Sequence, residues 1–84
     1  MRSLADLRGK RVLEVGCGEG RLTAALAGDA ASWLATEPKA DLVAAARRTL
    51  PPGLAGTVSF AVAGGAEVDA PEGEFDLVFF SWSL

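Results

Sequence analysis

An apolar strand pattern that runs directly into a cluster of glycines is the feature that most constrains this fold. Residues 12–15 read Val-Leu-Glu-Val, and glycines follow at positions 16, 18 and 20. A buried parallel strand that ends at Val15 must turn sharply if the backbone is to lie against a ligand at the start of the next helix, and only residues without a side chain permit that approach. The run therefore predicts a cofactor pocket. A connecting loop without a ligand is the alternative interpretation.

The rest of the chain alternates between strand and helix patterns. Strands are predicted at Arg11–Val15, Ser32–Thr36, Thr57–Val62 and Phe75–Phe80, and helices at about Gly20–Ala27, with Gly28 as a stop, and from Pro38 to Leu50, before Pro51-Pro52-Gly53. The last strand is almost continuously apolar, as a strand covered on both faces requires. This alternation predicts one α/β domain over residues 1–84, with a parallel sheet and right-handed crossovers.

Ligands of open parallel sheets bind beyond the carboxyl ends of the strands. Each predicted strand of this chain ends at a segment of interest: the glycine run, Glu37, the pair Gly65 and Ala66, and Ser81. We expect these four segments to converge on one crevice.

The glycine spacing separates two classes of cofactor. The dinucleotide fingerprint needs a third glycine at position 21, where this chain has Arg21, so a nicotinamide-dependent oxidoreductase is the weaker interpretation. The observed G-x-G-x-G spacing, preceded by Glu14, resembles the first motif of the class I S-adenosylmethionine-dependent methyltransferases, which have a Rossmann-like fold. The cofactor that this resemblance implies is S-adenosyl-L-methionine.

The resemblance also implies roles for residues around the first two strands. The glycine loop would line the cofactor with Gly16, Cys17, Gly18 and Gly20. Glu37 matches the family's acidic residue that accepts hydrogen bonds from the ribose hydroxyls, although a carboxylate there also favours the N-terminus of a helix. Glu14 matches an acid near the methionine end of the cofactor. Because a charge inside an apolar strand must be bonded in any case, a structural role for Glu14 stays open.

The third and fourth segments resemble the family less completely. The family has an aspartate that accepts a hydrogen bond from the adenine amine at the place of Gly65, and its loss is expected to weaken binding by about 0.5–1.5 kcal/mol. The N–H of the next residue, Ala66, remains available to the adenine ring. A backbone carbonyl near Ser81 would contact the methionine portion. Glu67 is interpreted as an exposed loop carboxylate, with substitution for the missing aspartate as the alternative, and Trp82 as either packing or a wall of the crevice.

Composition excludes several other classes of site. The chain has one cysteine, Cys17, and no histidine, so an internal disulfide is impossible and no metal site is predicted. Cys17 is expected to be a small buried residue rather than a reactive thiol, in a reducing, cytoplasmic setting. The net charge of −3 argues against nucleic acid as a partner, and no segment has the apolar length of a membrane span.

The resemblance covers only the first four strands of a seven-stranded domain ordered 3-2-1-4-5-7-6, so the order 3-2-1-4 is expected here. No residue is identified as a general base, and the catalytic residues are unknown. We expect the cofactor-binding N-terminal portion of a methyltransferase whose acceptor is a small molecule, and the 84-residue chain alone is not expected to turn over. The alternative is a non-catalytic truncated or complementing subunit, with a homo-oligomer or second chain along the exposed sheet edges.

Overall fold

A computed structural model describes residues 7–64 and 74–80 of the chain. Within these residues four parallel strands form one sheet in the order β3-β2-β1-β4. The strands are β1 (Arg11–Val15), β2 (Ser32–Glu37), β3 (Val58–Val62) and β4 (Leu77–Phe80), and the helices are α1 (Arg21–Leu26) and α2 (Ala40–Thr49), with short 3-10 turns at Ala27–Asp29 and Pro52–Leu54. The predicted α/β class and strand order are confirmed.

The core lies between the sheet and the two helices. The paired positions Val12, Trp33, Val58 and Leu77 stand on the same face of neighbouring strands, and the first three are buried. Apolar residues from the helices and turns complete this layer, among them Ala27, Leu26, Leu50 and Leu54. Burial of this apolar stripe fixes the register, since a shift of one residue would turn every side chain to the opposite face.

The element boundaries differ from the sequence prediction by one to two residues at several ends. Helix α2 begins at Ala40 rather than at Pro38, because Lys39 is still extended, with φ −95° and ψ 113°. Its end at Thr49 follows from Pro51, which restricts Leu50 to an extended conformation, φ −66° and ψ 128°. The stop expected at Gly28 is replaced by the 3-10 turn through that residue.

Strand β4 is shorter than predicted and is not covered on both faces in the described structure. It starts at Leu77 rather than Phe75. Val78 and Phe80 are 44% and 63% exposed. β4 and β3 are the two outer strands of the described sheet. The prediction that residues 75–80 form a strand covered on both faces is therefore wrong for the described part of the chain. The expectation of exposed sheet edges is met.

Neither helix of the described residues has the length and hydropathy to span a bilayer. No group of histidine, cysteine or carboxylate side chains within residues 7–64 and 74–80 is arranged to hold a metal ion.

Candidate functional site

The glycine run forms a tight loop between β1 and α1. Gly16, Gly18 and Gly20 have positive φ angles of 84°, 58° and 86°, which residues with a Cβ rarely adopt. The carbonyl oxygen of Thr36, in β2, accepts hydrogen bonds from the N–H groups of Gly16 and Cys17 at 2.8 and 2.9 Å. The loop is therefore held against the end of the neighbouring strand, at the carboxyl edge of the sheet.

Glu37 is the last residue of β2 and reaches the same loop. Its side-chain Oε1 accepts a hydrogen bond from the N–H of Gly18 at 3.0 Å, and Oε2 accepts one from the N–H of Lys39 at 3.2 Å. Glu37 is 6% exposed. Because each carboxylate oxygen can accept two hydrogen bonds, these contacts leave acceptor capacity for two hydroxyl groups. The structure brings the predicted ribose acceptor and the glycine loop together.

The glycines at 18 and 20 differ in what surrounds them. A Cβ built on Gly18 would meet no atom within 4 Å, whereas one built on Gly20 would lie 2.9 Å from the Cβ of Ala46 in α2. Gly18 thus faces open space over the loop, which leaves room for a ligand to approach its backbone. Gly20, predicted as a cofactor contact, is required by the close approach of the start of α1 to Ala46 in α2. Its contact with a cofactor stays a prediction.

Glu14 lies beneath the loop and is completely buried. Its Oε1 accepts hydrogen bonds from the hydroxyl of Thr23 and from the indole N–H of Trp33, the latter at 2.9 Å. The hydroxyl of Thr36 donates to the backbone carbonyl of Glu14 at 3.0 Å. The bonding expected of a buried carboxylate is present, and cofactor contact by Glu14 stays a prediction.

Cys17 is buried in the loop, and its thiol points to the carbonyl of Gly18 at 3.6 Å. Burial, followed by the negative charges of Glu14 and Glu37, raises the pKa of the Cys17 thiol to about 12. A thiol with this pKa is protonated at neutral pH and is a poor nucleophile. The structure thus agrees with Cys17 as a small packing residue.

A hollow of about 280 Å³ opens beside the loop and is lined by Cys17, Glu19, Arg21 and Leu22. The last three were not among the residues predicted for the site. Leu22 is 38% exposed, although the helical pattern placed it on an apolar face. In the sequence, these residues could have been found from their position at the junction between the loop and α1. Side chains between the glycines, or directly after them, flank any ligand that binds on the loop.

The remaining predicted site residues, Gly65, Ala66 and Ser81, lie outside the described residues, as do Glu67 and Trp82. The two outer strands nevertheless end at the same edge as the loop. Val62 of β3 pairs with Glu37, and Phe80 of β4 pairs with Val15. The parallel register therefore places the ends of β3 and β4 at the same edge of the sheet as Glu37 and the glycine loop.

A family model described as a methyltransferase domain matches residues 12–84. The chain belongs to this methyltransferase family. The predicted family is confirmed, and the alternative of a nicotinamide-dependent oxidoreductase is set aside. The strand order and the glycine loop described above are consistent with this membership.

Individual relatives agree with the family. The chain is 42% identical over 79 residues to magnesium-protoporphyrin O-methyltransferase of Rhodobacter capsulatus, covering 94% of this chain and 34% of the relative. Magnesium protoporphyrin IX methyltransferase from Synechocystis PCC 6803, solved with bound S-adenosylmethionine, is 25% identical, with a TM-score of 0.75 over 89% of this chain and 36% of that one.

The fold alone is shared with a more distant structure. An S-adenosylmethionine-dependent methyltransferase from Mesorhizobium loti is 22% identical and superposes with a TM-score of 0.78 over 89% of this chain and 34% of that one. The chain thus spans about a third of the length of these relatives. The family cofactor is S-adenosylmethionine.

Proposed function

We propose that this chain is the cofactor-binding N-terminal portion of a methyltransferase and that it binds S-adenosylmethionine across the glycine loop. The observation that carries the proposal is the hydrogen bond between Glu37 and Gly18, because it puts a buried carboxylate beside a stretch of backbone that faces open space. A ribose on Glu37 would then lie against the loop.

The residues present fit the cofactor's chemistry. The two oxygens of Glu37 can each accept a further hydrogen bond, as the two hydroxyls of a ribose require. Gly18 provides a surface without a side chain. We also propose that Gly65, Ala66 and Ser81 contact the cofactor. In the sequence, Gly65 and Ala66 follow β3, and Ser81 follows β4. When bound, the cofactor would supply an electrophilic methyl group on a sulfonium, and Glu37 and the glycine loop would hold and orient it.

Isothermal titration calorimetry of the 84-residue chain with S-adenosylhomocysteine, and separately with NAD, tests the proposal. We expect heat of binding with S-adenosylhomocysteine and none with NAD. No heat with S-adenosylhomocysteine, for a chain shown by circular dichroism to be folded, contradicts the proposal. Heat with NAD alone would assign the loop to a dinucleotide.

The acceptor that we propose is a small molecule, and magnesium protoporphyrin is the first to assay. The support is the 42% identity to magnesium-protoporphyrin O-methyltransferase and the net charge of −3, which disfavours nucleic acid. The proposal includes a cytoplasmic location, where a thiol such as that of Cys17 stays reduced. Incubation of this chain with radiolabelled S-adenosylmethionine and magnesium protoporphyrin is expected to give no methyl transfer. Measurable transfer would contradict the proposal that the chain is only the cofactor-binding portion of the enzyme.

A second candidate, a complementing subunit, is favoured by the exposure of β4. Val78 and Phe80 are 44% and 63% exposed on an outer strand of the described sheet. An apolar outer strand of this kind pairs readily with another chain. Sedimentation velocity of the purified chain separates the cases: a concentration-dependent dimer supports association along β4 only if Phe80→Lys abolishes it.

A further inference from the structure

The buried carboxylate of Glu14 joins three elements around the glycine loop. Its Oε1 accepts hydrogen bonds from the hydroxyl of Thr23 in α1 and from the indole N–H of Trp33 in β2. The three residues are 0%, 0% and 1% exposed, respectively. A carboxylate that is this deeply buried needs hydrogen-bond donors to offset its loss of hydration. We therefore expect both hydrogen bonds to Glu14 to be kept throughout the folded state.

The hydrogen bond between Glu14 and Thr23 joins the two sides of the glycine loop. Glu14 precedes the loop at the end of β1, and Thr23 follows it in the first turn of α1. The hydrogen bond between them closes a ring around residues 16–20, while Trp33 ties the same oxygen to the neighbouring strand. Without such closure, a segment with glycines at 16, 18 and 20 has unusual backbone freedom.

The burial of Glu14 decides how it can influence a ligand. The Glu14 side chain has no exposed surface, whereas a Cβ built on Gly18 in the loop would meet no atom within 4 Å. The hydrogen bonds of Glu14 therefore give it one route to influence cofactor binding, through the conformation of the loop, besides the direct contact that stays a prediction.

We propose that Thr23 and Trp33 are positioning residues for the cofactor, because through Glu14 they hold the glycine loop in its binding conformation before the cofactor arrives. This inference rests on the proposed function. Preorganisation of this kind increases affinity by removing the cost of ordering the loop on binding. We expect loss of the Thr23 hydroxyl to weaken S-adenosylhomocysteine binding by about tenfold, a difference that corresponds to ~1.4 kcal/mol.

The test compares Thr23→Val, which removes the hydroxyl at nearly constant shape, with Thr23→Ser, which keeps it. Thr49→Val is the matched control, because the hydroxyl of Thr49 bonds only within α2, to the carbonyls of Ala45 and Ala46, in the described structure. Dissociation constants are measured by calorimetry at a temperature where thermal melts show each variant fully folded. A positioning role raises the Kd in Thr23→Val and restores it in Thr23→Ser. A lower melting temperature with an unchanged Kd overturns the proposal.

Amide hydrogen exchange of residues 16–20, measured without cofactor, gives a second readout. We expect faster exchange in Thr23→Val than in Thr49→Val, and equal exchange overturns the proposal whether or not the wild-type chain binds S-adenosylhomocysteine. Failure of the wild type to bind overturns the proposed function instead. If Thr23→Val does not fold, Trp33→Phe removes the second donor while keeping an aromatic ring in the core, and the same two readouts apply to it.

Discussion

The carboxylate of Glu37 accepts a hydrogen bond from the backbone N–H of Gly18, with 3.0 Å between Oε1 and the nitrogen. Since Glu37 ends β2 and Gly18 lies in the loop after β1, this contact links two separate cofactor-facing segments. The second oxygen, Oε2, bonds to the N–H of Lys39 before α2. One side chain thus orients the loop and, in the proposed function, receives the ribose.

Replacement of Glu37 is expected to separate these two tasks. Glu37→Ala removes both, and we expect affinity for S-adenosylhomocysteine to fall by about tenfold to 100-fold, because hydrogen bonds to charged groups contribute about 1.5–3 kcal/mol. Glu37→Gln keeps one oxygen for Gly18 and should bind with intermediate affinity. Calorimetry measures both. Asp41→Asn, an exposed acid in the first turn of α2, is the control. Unchanged affinity in Glu37→Ala would refute the ribose assignment.

The open space over Gly18 leads to a second prediction. Asparagine tolerates the left-handed conformation better than other residues with a Cβ, and no atom lies within 4 Å of a Cβ at this position, where φ is +58°. Gly18→Asn should therefore change the free energy of unfolding by no more than about 1 kcal/mol. Its side chain would occupy the space proposed for the cofactor, so we expect binding to weaken by at least about tenfold. Urea unfolding and calorimetry give the two quantities, and undiminished binding would place the cofactor elsewhere.

Substitution of Gly20, in contrast to that of Gly18, should lower the stability of the fold, for a steric reason. A Cβ there would lie 2.9 Å from the Cβ of Ala46, at a φ of +86°. Gly20→Ala is expected to cost about 1–3 kcal/mol from overpacking, in addition to about 1–2 kcal/mol for the left-handed backbone. Adding Ala46→Gly should recover the overpacking part only. Urea unfolding of the two single variants and the double variant measures this coupling. Simple additivity would show that the two residues do not interact.

Much of the architecture could be predicted because its signals are local. The glycine spacing after Val15, the proline after α2 and the apolar runs each identify an element from adjacent residues. These signals were sufficient for the alternation of strands and helices and for a parallel sheet, whereas the strand order was expected only from the resemblance to the methyltransferase family. Convergence at the carboxyl edge follows from parallel topology alone.

Contacts between distant residues could not be predicted in the same way. Glu14 bonds to Thr23 and Trp33, which are 9 and 19 residues away, and nothing in the local pattern specifies those partners. The role of Gly20 depends on Ala46 in α2, which is 26 residues away and comes close to Gly20 only in the folded chain. Hydrogen bonds and close packing of this kind exist only once the tertiary structure has formed.

The buried thiol of Cys17 is expected to resist alkylation in the folded chain. Its pKa of about 12 leaves a very small thiolate fraction at pH 8, and the residue is only 7% exposed. Iodoacetamide at pH 8 should therefore label Cys17 slowly in buffer and rapidly in urea, because unfolding restores an ordinary pKa. Mass spectrometry over a time course measures both rates. Fast labelling of the folded chain would show that the loop opens readily around Cys17.

The ion pair of Arg11 and Asp76 predicts how stability depends on acid pH. Arg11 Nε and Nη2 lie 3.1 Å from Asp76 Oδ2 and Oδ1, and the N–H of Arg11 also donates to Oδ2. The side-chain and then the backbone hydrogen bond from Arg11 lower the pKa of Asp76 from 3.8 to about 2. A group whose pKa is lower in the folded state stabilises the fold above its unfolded pKa, and this contribution disappears as the pH falls through the folded value.

We therefore expect the stabilisation by Asp76 to be complete above about pH 5 and to be lost progressively between about pH 5 and pH 1. Urea unfolding of wild type and Asp76→Asn across this range should show a difference in the free energy of unfolding that shrinks toward zero as the pH falls. Glu74→Gln, which removes the same charge two residues earlier without the paired hydrogen bonds to Arg11, should leave a smaller difference above about pH 5. General charge effects do not distinguish the two positions. If the two variants behaved alike, the contact between Arg11 and Asp76 would therefore be absent in solution.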